Sequence, residues 1–132
     1  MPGMNTMTHG LVLAAGLCIA PAMAVGGERK DAEIACEPTE ERLVYDCTVT
    51  VTKRRSGDPV TDAEFTVGAD MPSMPGAHNV RPVQAIPRDA PGLYGVRIHL
   101  EMPGEWAMKL DFTKPDRDRV VRKHFFERSG SP

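Results

Sequence analysis

From Ala32 onward, apolar and polar residues alternate with period two through most of the chain, the mark of strands with one buried face. Ala32, Ile34 and Cys36 are separated by Glu33 and Ala35, and Leu43, Tyr45, Cys47, Val49 and Val51 alternate with Asp46 and threonines. Ala63, Phe65, Val67 and Ala69 form a third inward face, with Glu64, Thr66, Gly68 and Asp70 on the other side. Val80 to Ile86 is a fourth strand, which Pro82 assigns to a sheet edge because proline donates no ladder hydrogen bond. Tyr94, Val96, Ile98 and Leu100 mark a fifth, with Arg97, His99 and Glu101 on its other face, and Trp106, Met108, Leu110 and Phe112 mark a sixth. Arg119 to Glu127 is a last strand, whose buried face the pattern leaves open. Ser56-Gly57-Asp58-Pro59, Pro91-Gly92 and Pro103-Gly104 are turn signals, and no stretch has helical period. About seven short strands so spaced predict an all-β fold, an antiparallel β-sandwich of immunoglobulin-like type.

The first two strands also predict their own register. With a hairpin turn within Pro38 to Arg42, Cys36 faces Cys47, Ile34 faces Val49 and Ala32 faces Val51, so every inward residue meets another. A Cys36–Cys47 disulfide is the expectation for an exported chain, stabilising by roughly 2 to 4 kcal/mol. A redox or metal-binding thiol pair is the alternative, but the spacing is neither C-x-x-C nor a zinc pattern.

Export is predicted by the amino terminus. Gly10 to Ala20 is an apolar run of signal-peptide length, and Ala22-Met23-Ala24 fits cleavage after Ala24. Residues 1–24 then form a signal peptide and residues 25–132 a single domain of 108 residues, periplasmic or otherwise exported. No lysine or arginine precedes the apolar run, which keeps an uncleaved short anchor as the alternative. Processing removes Met1, Met4, Met7 and Met23 and leaves Met71, Met74, Met102 and Met108.

Those surviving methionines carry the candidate chemistry. Asp70 to Arg81 reads D-M-P-S-M-P-G-A-H-N-V-R, with Met71, Met74 and His78 falling within eight residues. Proline steers such a stretch towards polyproline II, whose threefold repeat would set both thioethers on one side, and Pro75-Gly76 supplies a turn that brings His78 back. Thioether and imidazole together suit copper(I). Met102, three residues after His99, lies in the Met-Pro-Gly turn between strands five and six, and strand reversals place that turn at the same end as the methionine loop. Met71, Met74, His78 and Met102 are therefore the candidate metal ligands, with His99 peripheral. The competing reading is packing, since methionine fills core gaps and M-P-x-M-P also suits an apolar loop under a sheet end. Met108, in phase with Trp106 and Leu110, reads as core.

Other classes find little to stand on. His78, His99 and His124 lie beside no serine or cysteine motif, and there is no phosphate loop, H-E-x-x-H or paired-carboxylate signature, so no enzyme, catalytic residue or small-molecule substrate is expected. A formal charge of -2 predicts no attraction to nucleic acid. Phe125, Phe126 and the six basic residues from Lys114 to Arg128 read as a solvated outer strand with an apolar inner side, a membrane-facing tail being the alternative.

Leu43 to Phe112 resembles the YtkA-like and FixH-like group of exported or membrane-anchored bacterial domains. The resemblance is carried by Gly57-Asp58-Pro59-Val60, Met71-Pro72-Ser73-Met74-Pro75 with His78, Pro91-Gly92-Leu93-Tyr94, and Glu101-Met102-Pro103-Gly104-Glu105-Trp106. It implies an immunoglobulin-like sandwich, no established enzymatic activity, and frequent association with copper handling or with assembly of membrane metalloprotein complexes. The Cys36/Cys47 hairpin is not general in that group, and the cleavable leader replaces the anchor usual in FixH-like proteins. The expected function is thus a periplasmic accessory protein that handles or delivers copper(I), with a copper-acceptor protein or membrane metalloprotein complex as partner. A metal-free protein-interaction module supporting a membrane or envelope complex is the alternative.

Overall fold

The computed structural model describes residues 27–128, together with Gly3, Gly10 and residues 15–18. The expected cleavage site at Ala22-Met23-Ala24 and the start of the domain at Val25 lie outside the described residues. Among the described residues no helix is long and apolar enough to cross a membrane.

The alternating segments form eight strands: β1 (Lys30–Pro38), β2 (Val44–Lys53), β3 (Glu64–Asp70), β4 (Asn79–Gln84), β5 (Ile86–Pro87), β6 (Leu93–His99), β7 (Gly104–Lys114) and β8 (Asp118–Phe126). They assemble into two antiparallel four-stranded sheets, in the orders β1-β2-β6-β5 and β4-β3-β7-β8. In chain order this is the immunoglobulin arrangement, with β4 widening the second sheet. One strand more than expected is present because the segment from Val80 to Ile86 divides. β4 is the edge strand that Pro82 predicts, but at Ala85 the chain leaves that sheet and β5 pairs with β6 in the other, Ile86 opposite Gly95. The Ala85 N–H donates to the Phe65 carbonyl at 3.0 Å, which anchors the crossing on β3.

The β1–β2 register is the one the alternation predicts: Cys36 opposite Cys47, Ile34 opposite Val49 and Ala32 opposite Val51. Cys36 and Cys47 form a disulfide within this hairpin. Between the sheets lie the inward faces of all the long strands, with Trp106, Tyr94, Phe65, Ile98, Leu110 and Met108 among the fully buried side chains. Burial of an aliphatic, phenylalanine or methionine side chain of this set contributes about 1.5–3 kcal/mol. The two buried tyrosines keep their hydroxyls satisfied. Tyr94 donates to the Val60 carbonyl at 2.6 Å and accepts from the Ala63 N–H at 3.0 Å, while Tyr45 donates to the Glu127 carbonyl at 2.8 Å. β8 turns Val120 and Phe126 inward and leaves Val121 and Phe125 exposed, so the last strand has the apolar inner side expected of it.

The two long sides of the sandwich are closed differently. On one, the backbone itself crosses from β4 to β5. On the other, β1 and β8 approach without a ladder and are joined by side chains. Arg122 Nε donates to the Ala32 carbonyl at 3.0 Å, the Lys30 N–H donates to Asp118 at 2.9 Å, and the buried Lys30 ammonium pairs with Asp116 at 3.3 Å. That ammonium also sits 5.3 Å from the centre of the Phe112 ring, within cation–π reach.

Candidate metal centre at one end of the sandwich

The β3–β4 loop and the β6–β7 loop meet at one end, as counting strand reversals predicts. Contacts at Gly104 and at His78 join them. A Cβ placed on Gly104, the first residue of β7, would stand 2.9 Å from the Met71 methyl, so that methyl rests against the β7 backbone. The His78 Nδ1 meets the Glu101 carboxylate.

The methionine loop is turned rather than extended. The Met74 N–H donates to the Met71 carbonyl at 3.1 Å and the Ala77 N–H to the Met74 carbonyl at 3.2 Å. Each turn carries proline second, at Pro72 and Pro75, where the fixed φ of proline suits it. Gly76, at φ 76°, supplies the positive φ that the second turn requires. The expected polyproline II conformation is therefore replaced by two consecutive turns, because internal hydrogen bonds are available to turns and not to an extended helix. The thioethers consequently do not stand alike. Met71 is 4% exposed and belongs to the core, whereas Met74 is half-buried at its margin.

The depth of each methionine follows from strand phase. Met71 is two residues beyond Ala69 and continues the inward face of Phe65, Val67 and Ala69. Met102 likewise continues Ile98 and Leu100 and is half-buried against the core. Its carbonyl accepts from the Trp106 indole N–H at 3.1 Å, and the Leu100 N–H donates to the Leu43 carbonyl at 2.8 Å, so the β6–β7 loop is held on both sides of Glu101. His99 is exposed on the outer face of β6 and lines an open groove of 660 Å³ together with Leu43, Val80, Arg81 and Glu101. Met108 is fully buried, as its phase predicts.

Asn79 opens β4 opposite Asp70, and its amide, oriented to donate, reaches Asp70 at 2.9 Å and the His78 carbonyl at 3.2 Å. Asp70 also pairs with Lys109. Among the described residues no group of three or more histidine, cysteine, aspartate and glutamate side chains is placed to hold a metal ion. Met71, Met74 and Met102 bring thioethers and His78 an imidazole to this end, donor types that suit copper(I), with the carboxylates of Glu101 and Asp70 beside them. Glu101 is the participant that strand patterning does not reveal. It falls on the outward phase of β6, and its contact with His78, 23 residues away, arises only when the two loops pack.

The fold is thus an immunoglobulin-like sandwich that carries a turned Met-Pro loop against a Met-Pro-Gly loop. The model of the YtkA-like family matches residues 21–111, from upstream of β1 into β7, and the chain belongs to that family. No curated protein and no solved structure matches the chain.

Proposed function

We propose that this protein is a non-enzymatic, periplasmic accessory protein that holds copper(I) at the methionine end of the sandwich and passes it to an acceptor protein or a membrane metalloprotein complex. The observation that carries this reading is the meeting of the two loops, which brings Met71, Met74, His78 and Met102 to one end of the fold. Soft thioethers select the cuprous ion, and a set of neutral donors binds it without trapping it as thiolates would. Met74 and Met102 lie at the core margin, where small side-chain rotations expose sulfur, and the flexible methionine side chain makes such rotations easy. Met71 enters the set only by drawing its thioether out of the core, so His78, Met74 and Met102 are the accessible donors. A cross-strand disulfide suits the oxidising compartment that the leader predicts.

Burial of Met71 favours one other reading, in which the methionines are packing residues and the loops form a metal-free contact for an envelope protein.

Anaerobic copper(I) titration of the processed protein against a competing chelator separates the two. Replacement should be by leucine, because Met71→Ala would also open a core cavity costing about 2–5 kcal/mol, whereas methionine-to-leucine changes cost under about 1.5. The expected result is one copper(I) per chain, with affinity falling at least about tenfold in a Met74→Leu/Met102→Leu variant of unchanged thermal stability. A folded, disulfide-intact protein that binds no copper(I), or a variant that binds as tightly as the original, overturns the copper reading.

A further inference from the structure

Glu101 holds the imidazole of His78 by one specified nitrogen, and that choice has chemical content. We propose that Glu101 is a positioning residue that fixes the His78 tautomer and so selects Nε2 as the atom offered to the metal; the metal part of this inference rests on the copper function proposed above.

The contact is between His78 Nδ1 and Glu101 Oε2. An ionised carboxylate can only accept, so the hydrogen in this bond belongs to Nδ1. In the neutral ring the lone pair is then on Nε2, which has no hydrogen-bond partner among the described residues. Histidines that bind metals characteristically give their other ring N–H to a carboxylate or carbonyl, which orients the ring and strengthens the donor nitrogen. His78 and Glu101 have this arrangement.

Both partners are held in place. Glu101 follows Leu100, which is fully buried and bonded to the Leu43 carbonyl, and precedes Met102, whose carbonyl is bonded to the Trp106 indole. His78 precedes Asn79, which is paired into β4 and reaches back to the His78 carbonyl. The contact does little for folding. The His78 side chain is 29% exposed and that of Glu101 58%, and pairs so open to water contribute little to stability. A geometric role is what remains for it. The same carboxylate brings a negative charge beside the His78 imidazole, where it favours a cation.

The test is the ¹⁵N spectrum of the His78 ring in the metal-free, processed protein, at a pH where the imidazole is neutral, followed by copper(I) titration of the same samples. The original protein should show Nδ1 protonated and Nε2 bare. Glu101→Ala should move the proton largely to Nε2, leave the melting temperature unchanged, and weaken copper(I) binding by about 10- to 100-fold, the usual loss when an outer partner of a ligand histidine is removed. Glu101→Gln keeps a carbonyl acceptor and should retain the original tautomer. An original protein with Nε2 protonated, or a tautomer indifferent to Glu101→Ala, overturns the inference even if copper binds tightly. The expected tautomers without any copper binding overturn the function proposed above and, with it, the metal role of Glu101.

Discussion

Gly104 has φ 132°, a backbone conformation that strains any L side chain, and a Cβ there would press on the movable Met71 methyl, so one residue joins backbone geometry to the position of a candidate ligand. Gly104→Ala should destabilise the fold by about 1–3 kcal/mol, the range for side chains forced into sparsely populated backbone regions, read as a lowered urea midpoint. The displaced Met71 methyl should also shift in a ¹³C-methyl spectrum. An unchanged midpoint would mean that β7 starts differently. At this scale the sequence discloses a good deal about the site. Met71 and Met102 each continue an inward strand face by one more step of two, so their burial is readable from phase alone once β3 and β6 are recognised. The pairing of His78 with Glu101 is not readable in that way, since both residues lie in loops just outside β4 and β6. It depends on how two loops fold across a sheet end.

Strands β4 and β8 are the elements where patterning met its limit. β4 reads as one segment with β5 because Val80, Val83 and Ile86 look like a single apolar run, yet the chain changes sheets at Ala85. Period-two patterning says which face a residue takes and nothing about which sheet a strand joins. In β8 the uncertainty came from aromatic and basic residues on both phases, and packing resolves it through Phe126, whose ring lies 4.8 Å from Tyr45 and 4.5 Å from His124. Burial against this cluster pushes the His124 imidazole below its ordinary value of about 6.5, since the charged ring is poorly solvated there. The unfolded chain therefore binds a proton more readily than the folded one. Stability from this source is fully present above the unfolded value and is lost as pH falls through it. Denaturation midpoints taken from about pH 7.5 down to about pH 5 should fall, and should fall less in a His124→Gln variant. Equal slopes in the two proteins would show that His124 is not the group responsible.

The whole molecule combines one covalent side with one side-chain side. Backbone crosses the sandwich between β4 and β5, while β1 and β8 are joined through Lys30, Arg122 and their acidic partners. The hairpins β1–β2 and β7–β8 are well laddered within their own sheets, so separation at that corner breaks few backbone bonds. Native-state hydrogen exchange should find the β1 edge amides opening at lower free energy than those of β3 and β7, with the difference growing in high salt as exposed ion pairs such as Arg122–Asp31 are screened. Uniform protection across all strands would argue against separable sides.

The crossing at Ala85 makes the sandwich resemble a book, with its spine along β4 and β5 and its open pages at β1 and β8. The methionine loop enters β4 directly and so is bound into the spine. Such a book can be leafed through at its free edge without disturbing what is written next to the binding: thermal breathing, or a partner prying at the β1–β8 corner, would leave the Met74, His78 and Glu101 end in register.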